Sequence, residues 1–358
     1  MLTYLCAPIP NMIETVKRDI RKLKLDELKA FFVEKGDKAF RAQQVYDWLW
    51  KKSAKDFDQM TNISLETREM LKTNFVINHI KVDNMQRSTD GTIKNAVTLH
   101  DGLVVESVLI PTDKRITACV SSQVGCSLAC KFCATARLKR QRNLSVDEIY
   151  DQVAAIREQS ELFFGRPLTN IVFMGMGEPL LNYTNVMAAI EKITSPKGLN
   201  MASRRITVST VGVAKMIKKM ADDNPKFNLA VSLHAALNET RSSIMPINDT
   251  NPLEELAEAL QYWYQKTKSK VTYEYVVWKG INDTPEHAQA LLRFAKLVPS
   301  KVNLIEYNPI DDGAFQQADD AVLDMYMDLL EKNGITTRIR KSRGKDIDAA
   351  CGQLANKS

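Results

Sequence analysis

Cys126, Cys130 and Cys133 stand in the run CSLACKFC, a C-x3-C-x2-C spacing that presents three thiols from one short loop. Thiolates are soft metal ligands. Three of them are one short of the set that closes a structural zinc site or a four-cysteine iron–sulfur centre. A centre with three protein ligands keeps a vacant position, and vacant positions are where metal chemistry takes place. A zinc knuckle borrowing a fourth ligand is the alternative, but the chain has only four histidines and none adjoins the triplet. Cys119 lies seven residues before the triplet, and Cys351 sits far away in the tail IDAACGQL. A lone cysteine is ordinarily a small buried hydrophobe. Here the tail follows the last strand-like run, so it is able to fold back over the mouth of the fold and bring the two sulfurs together. Two redox-competent thiols beside a metal centre point to covalent catalysis with thiol–disulfide turnover. Cys6 is assigned no role.

Regular alternation begins near residue 115 and must position these groups. Strand-like runs occur at TACVSS, NIVFM, RITVST, NLAVSL, TYEYVV, KVNLIEY and TTRIR. Helical stretches begin between them near Ser145, Thr184, Val213, Pro252, Thr284 and Ala318. Ser145 and Glu148 have the form of a capping box, and Pro285 stands where a first helical turn tolerates proline. Six successive β–α units predict an α/β fold, a parallel sheet with helices outside it, as a closed or partial barrel. Chemistry in such folds gathers at the C-terminal strand ends, and the cysteine triplet follows the first strand. Upstream, AVTLH and LVVESVLI flank Asp101-Gly102, a hairpin signal. Residues 22–75 read as helical, with Phe40, Val45, Trp48 and Leu49 forming one apolar face and Ser64 an N-cap.

The 358 residues, 44% hydrophobic and 26% charged, suit a globular protein with one large domain and a small one. No apolar run is long enough to span a bilayer, and the N-terminus has no basic head before its apolar stretch. A cytoplasmic protein without membrane contact is expected, and clustered cysteines there favour metal or catalytic use over a disulfide framework. A net charge of +6 permits RNA binding without demanding it. Locally, Lys131, Arg137, Lys139, Arg140 and Arg142 fall together with no acidic residue among them. They read either as a phosphate-contacting loop or as a solvated face.

The cysteine spacing after the first strand of a βα array resembles the radical S-adenosylmethionine superfamily. That resemblance implies a partial (βα)6 barrel in which Cys126, Cys130 and Cys133 hold a [4Fe–4S] cluster. The remaining iron chelates S-adenosylmethionine, whose one-electron cleavage yields a 5′-deoxyadenosyl radical. Polar strand ends suit the cofactor: Gly177-Glu178 after NIVFM, Ser209 at the end of RITVST, Ser232-Leu233-His234 closing NLAVSL, and Asn308 after KVNLIEY. The glycines of MGMGEP permit close backbone approach, and the carboxylate suits an ammonium group.

A closer resemblance rests on CVSSQVGCSLACKFCATA, MGMGEPLLNY, SLHAALNETR, RGKDIDAACGQL and FRAQQVYDWLWKK, and runs from about residue 25 to the C-terminus. These motifs are similar to those of the RlmN/Cfr family of RNA adenine methyltransferases. The family implies two S-adenosylmethionine molecules per turnover. One methylates Cys351, and the second, once cleaved, turns that S-methyl group into a methylene radical that adds to adenine C2. Glu106 matches the base that removes the C2 proton, and Cys119 resolves the adduct by forming a disulfide with Cys351. On the sequence Glu106 is a polar residue on an apolar strand, where burial would raise a carboxyl pKa. The implied substrates are 23S rRNA and tRNA, with flavodoxin or ferredoxin as electron donor and a monomeric enzyme. Alternatives are methylation at C8 of a 23S rRNA adenosine, or an RNA-binding protein with a non-catalytic cluster or zinc. Residues 1–21 are then an extension and 22–76 a helical accessory domain that binds RNA. Residues 77–112 form a hairpin extension, 113–343 the radical core, and 344–358 the tail. Arg41, Lys51, Lys52 and the loop 131–142 are candidates for phosphate contact. In one departure, Lys139-Arg140 stands where relatives commonly have Gly-Phe.

Overall fold

The computed structural model describes residues 17–310 and 313–356. Residues 1–16, including Cys6 and most of the expected extension, lie outside the described residues. The chain divides into two compact units, Met1–Asn78 and His79–Ser358.

In the first unit α1 (Leu25–Glu34), α2 (Phe40–Trp50) and α3 (Leu65–Asn74) pack around Leu28, Phe32, Val45, Leu49 and Leu71. Arg18–Asp19 pairs in parallel with Phe75–Val76 and ties the ends of the unit together. Ser64 caps α3 as expected, its hydroxyl accepting from the Thr67 amide at 3.3 Å. The apolar face of α2 differs from the expected one. Its buried stripe runs through Ala42, Val45 and Leu49, at i, i+3 and i+7, which leaves Phe40 55% exposed. Trp50 is buried in place of Trp48, whose indole N–H donates to Asn62.

The second unit is built on one ten-stranded sheet. Its strands are β1 (Lys81–Arg87), β2 (Ile93–Thr98), β3 (Val104–Pro111), β4 (Ile116–Cys119), β5 (Asn170–Phe173), β6 (Ile206–Thr210), β7 (Asn228–Ser232), β8 (Val271–Val276), β9 (Ser300–Ile305) and β10 (Thr336–Arg340). Spatial order equals chain order. The pairs from β1 to β4 are antiparallel and those from β4 to β10 parallel. The expected hairpin is β2–β3, turned at Gly102 with φ +80°. Strand β1, polar and exposed along most of its length, was not legible as a strand.

Helices α4 (Val146–Phe164), α5 (Tyr183–Thr194), α6 (Ala214–Asp222), α8 (Leu253–Thr267), α9 (Pro285–Ala295) and α10 (Asp320–Lys332) join the parallel strands, with the short α7 (Asn238–Ile244) ahead of α8. The Ser145–Glu148 capping box forms, and Thr284 caps α9 ahead of Pro285. Parallel strands are covered by helices and carry continuous apolar runs, so Ile171, Phe173, Val208, Leu229 and Val231 are almost wholly buried. Among the described residues no helix is long and apolar enough to cross a membrane.

The two edge strands do not pair with each other. The segment after β10 bridges them. Asp90, in the β1–β2 turn, accepts from the Gly344 amide at 3.0 Å, and Ser88 donates to Asp346 at 2.6 Å. The result is a partial barrel of six βα units clasped by its own tail. Replacing Leu229→Ala, in the middle of the parallel sheet, should cost about 2–5 kcal/mol. Urea titration of the variant checks this; an unchanged midpoint would contradict the assigned core.

Candidate active site

The first parallel strand ends at Cys119, and the chain then forms the loop that carries the three other clustered thiols. Gly125 opens this loop at φ +73°, and Ala129 also lies in the left-handed region. The Cys133 amide donates to the Cys130 carbonyl at 3.2 Å, and Gln123–Val124 pairs with Arg142–Asn143 to close the loop's base. Leu128, Phe132 and Ala136 pack around Cys130 with Ile244, Met245, Trp278 and Tyr307. Loss of hydration pushes the Cys126 thiol up to about 11 and raises Cys130 and Cys133 as well, with mutual repulsion adding to it. Such thiols remain neutral until a cation takes the place of the proton. No three His, Cys, Asp or Glu side chains among the described residues converge as ligands of one metal ion. Ligands of a cubane bind three different irons, so they need not share a centre.

The next strand end carries Gly175-Met-Gly177-Glu178. The sequence suggests that these glycines admit a ligand, but the structure shows what they meet. A Cβ on Gly175 would lie 2.8 Å from the Val120 backbone, and one on Gly177, at φ +91°, would lie 2.5 Å from the Gln123 side chain. They let this turn pack on the loop after β4. Glu178 is 2% exposed and accepts from the Leu180 amide at 3.0 Å and the Val211 amide at 2.9 Å. Burial outweighs those bonds and pushes its carboxyl up to about 7.

Ser209 is the penultimate residue of β6, Ser232 closes β7, and Leu233 is buried. His234 follows at φ +55°, a costly backbone for a residue with a side chain. The Val276 amide donates to its Nδ1 at 3.2 Å, which leaves the proton of the neutral ring on Nε2. Burial, then the neighbouring Arg241 charge, pushes His234 down to about 3, so the ring stays neutral.

Asn308 is 3% exposed. Its amide nitrogen donates to the Cys351 carbonyl at 3.2 Å, while its oxygen finds no partner. It borders a cavity of about 50 Å³ together with Phe132, His234, Trp278, Cys351 and Gly352. Three open-loop thiols after β4, a buried carboxylate after β5 and an orphaned amide oxygen after β9 form a donor set that fits a cluster and a zwitterionic cofactor.

The tail reaches this site. The Ala134 amide donates to the Gly352 carbonyl at 2.7 Å, and the Thr135 hydroxyl donates to the Leu354 carbonyl at 2.6 Å. Cys351 keeps accessible surface and borders the cavity, with the surrounding protein taking water from its thiol. Its thiol is therefore raised by lost hydration, with the Arg340 guanidinium pulling the other way. Cys119 shares that neighbourhood: burial and then Cys351 push it up to about 12, against Arg340. Arg340 in turn pairs with Glu274 at 3.6 Å. Both cysteines are free thiols.

Glu106, a polar residue on a largely apolar strand, is buried and fully engaged. Lys94 Nζ lies 3.3 Å from one oxygen, and the Ala355 and Asn356 amides donate to the other at 2.8 and 3.1 Å. Among the basic candidates, Arg142 is engaged by Asp101 and Glu148, and Arg41 by Asp37. Lys131, Lys139, Lys51 and Lys52 are exposed, Lys52 lying 3.6 Å over the Trp48 ring. Arg241, which holds the Leu233 and Val211 carbonyls and Asn248, escaped notice because a fully buried arginine has no local sequence signature.

Residues 18–77 match the family described as the ribosomal RNA large subunit methyltransferase N-terminal domain, and residues 120–295 match the radical SAM superfamily. The chain is 71% identical over 342 residues to a probable dual-specificity RNA methyltransferase RlmN of Christiangramia forsetii, covering 96% of this chain and 97% of that protein. It belongs to the RlmN family of radical SAM RNA methyltransferases. An RlmN relative of Cytophaga hutchinsonii is 56% identical over 357 residues, covering all of this chain and 98% of its own. The crystal structure of a radical SAM methyltransferase from Sphaerobacter thermophilus superposes with TM-score 0.90 at 37% identity. That match covers 95% of this chain and 100% of the other. Membership in the RlmN family brings with it a [4Fe–4S] cluster, S-adenosylmethionine and an RNA substrate.

Glu178 gives a pH test. Its folded carboxyl holds a proton more tightly than the unfolded chain does, so its contribution to stability falls as pH rises from about 4.5 to about 7. Glu178→Gln in the cluster-free protein should therefore gain stability over the parent at pH 8 and lose that advantage at pH 4. Denaturant titrations at both values check the sign; an advantage only at acid pH would contradict it.

Proposed function

We propose that this enzyme methylates C2 of a specific adenosine in 23S rRNA and in tRNA, carrying the methyl group on Cys351. The observation behind this reading is the docking of the tail on the cluster loop, Gly352 bonded to Ala134, which brings Cys351 to the cavity and within electrostatic reach of Cys119 and Arg340. Adenine C2 lies between two ring nitrogens and is too electron-poor to attack a methyl sulfonium as an amine does. A cluster and two successive cofactor molecules, held by Cys126, Cys130, Cys133 and the strand-end groups Glu178, Ser209, Ser232 to His234 and Asn308, would supply the methyl group and the one-electron activation.

The chain's own groups do the rest. The Cys351 sulfur first accepts the methyl group and then holds its carbon while that carbon bonds to C2. Glu106 removes the C2 proton. The Cys119 sulfur attacks Cys351 Sγ, the bond from Cys351 to the transferred carbon breaks with its electron pair leaving on that ring-conjugated carbon, which takes up a proton to become the methyl group, and a disulfide remains for an external reductant. Cys119 must act as a thiolate, and Arg340 is the cation beside it that favours that form. His234, held neutral with Nε2–H outward, is a fixed donor at the cavity wall.

The residues after Arg18 in the first unit serve as an RNA-binding accessory domain, supported by their family match. Lys51, Lys52, Lys131, Lys139 and Arg140 are exposed cations suited to phosphate, and a target base reaches the barrel unpaired or flipped out. A flavodoxin or ferredoxin as donor, a monomeric state and a cytoplasmic location complete the proposal.

Two outcomes test it. Mass spectrometry of nucleosides from treated RNA should show 2-methyladenosine; 8-methyladenosine in its place would overturn the regiochemistry. Cys351→Ala should abolish RNA methylation while the protein still binds its cluster, and continued methylation would refute the carrier role.

A further inference from the structure

Glu106 and Lys94 occupy neighbouring antiparallel strands. Glu106 on β3 stands opposite Ala96 on β2, so Lys94, two residues along, lies diagonal to it on the same face. Lys94 is 4% exposed and Glu106 1%. A buried ion pair needs further hydrogen bonds to offset lost hydration. The tail supplies them: the Ala355 and Asn356 amides both donate to Glu106 Oε2, while Oε1 faces Lys94. The Asn356 side chain adds a bond to the Val104 carbonyl at 2.8 Å. Upstream, Gly344 and Asp346 are tied to the β1–β2 turn. Cys351 thus sits in a strap fastened at both ends to the antiparallel extension.

A carboxylate that exposes 1% of its surface and spends one oxygen on two tail amides has no open route to a substrate C–H. We propose that Lys94 and Glu106 form a buried clip for the segment after Cys351, and that residues 355–356 leave the clip when RNA binds, Lys94 then holding the freed carboxylate in place. Lys94 is on this account a positioning residue of methyl transfer. The release step rests on the reading of Glu106 as the base; the clip itself does not.

Hydrogen exchange on the cluster-loaded protein separates the two. Glu106→Gln should speed exchange of the 355 and 356 amides by about tenfold or more, the scale of losing a hydrogen bond to a charged group. Unchanged protection would overturn the clip. The double variant Lys94→Met with Glu106→Gln leaves no unpaired buried charge, so it should fold, load its cluster and show the same loss of protection. In the parent, saturating RNA should also deprotect these two amides; equal or deeper protection would overturn the release. Lys94→Met should slow RNA methylation by about tenfold or more, with Lys94→Arg restoring most of the rate. Should both variants methylate RNA at the parental rate, Lys94 has no positioning role. If Glu106→Gln deprotects the tail yet methylates RNA normally, the clip stands and the base assignment, with the release step, falls.

Discussion

The backbone on both sides of Cys351 is hydrogen-bonded to elements that precede it by some two hundred residues or more in the chain. Gly344 is held by Asp90, Gly352 and Leu354 by Ala134 and Thr135 next to the cluster loop, and Ala355 by Glu106, while the Gln353 side chain adds a nearer bond to Pro309. Loop-closure entropy rises only slowly with length, so distant anchoring costs little more than local anchoring, provided the closed segment is well bonded. Everything assigned to the two distant sulfurs depends on this docking. Without it Cys351 would be a surface thiol on a loose terminus and Cys119 a buried hydrophobe.

Desolvation is the second common cause. Parallel strands covered by helices bury their ends as well as their middles, so groups placed there lose water. The thiols of Cys119, Cys126, Cys130 and Cys133 are all raised, the Glu178 carboxyl is raised, and the His234 ring is lowered, in each case by burial first. The site is therefore kept close to neutral while it awaits cationic partners. Arg241, fully buried, and Arg340, partly exposed, are the exceptions, and each is tied to carboxylate, carbonyl or amide oxygens.

Much of this was legible before any coordinates. Strand-like runs at NIVFM, RITVST and NLAVSL, with the Ser145–Glu148 box and Pro285 marking helix starts, lead directly to the βα succession, because local propensity and tertiary role agree there. The triplet spacing and the recurrence of polar residues at strand ends mark the site. What was not legible depends on long-range geometry. The face of α2 turned on a packing choice between Trp48 and Trp50. The role of Gly175 and Gly177 lay in contact with Val120 and Gln123, residues from another loop. The partners of Glu106 came from β2 and from the tail. Polar β1 had no hydrophobic alternation to reveal it, since its faces are largely exposed.

The central claim is that Cys351 carries the carbon that ends on the base. Peptide mass spectrometry on the cluster-loaded enzyme, incubated with isotopically labelled S-adenosylmethionine and then with unlabelled cofactor and RNA, follows that carbon. The account predicts a labelled methyl group on the Cys351 peptide alone, followed by its appearance in the first round of methylated adenosine. Methylated RNA carrying only unlabelled carbon, with the label still on Cys351 or never bound there, would contradict it.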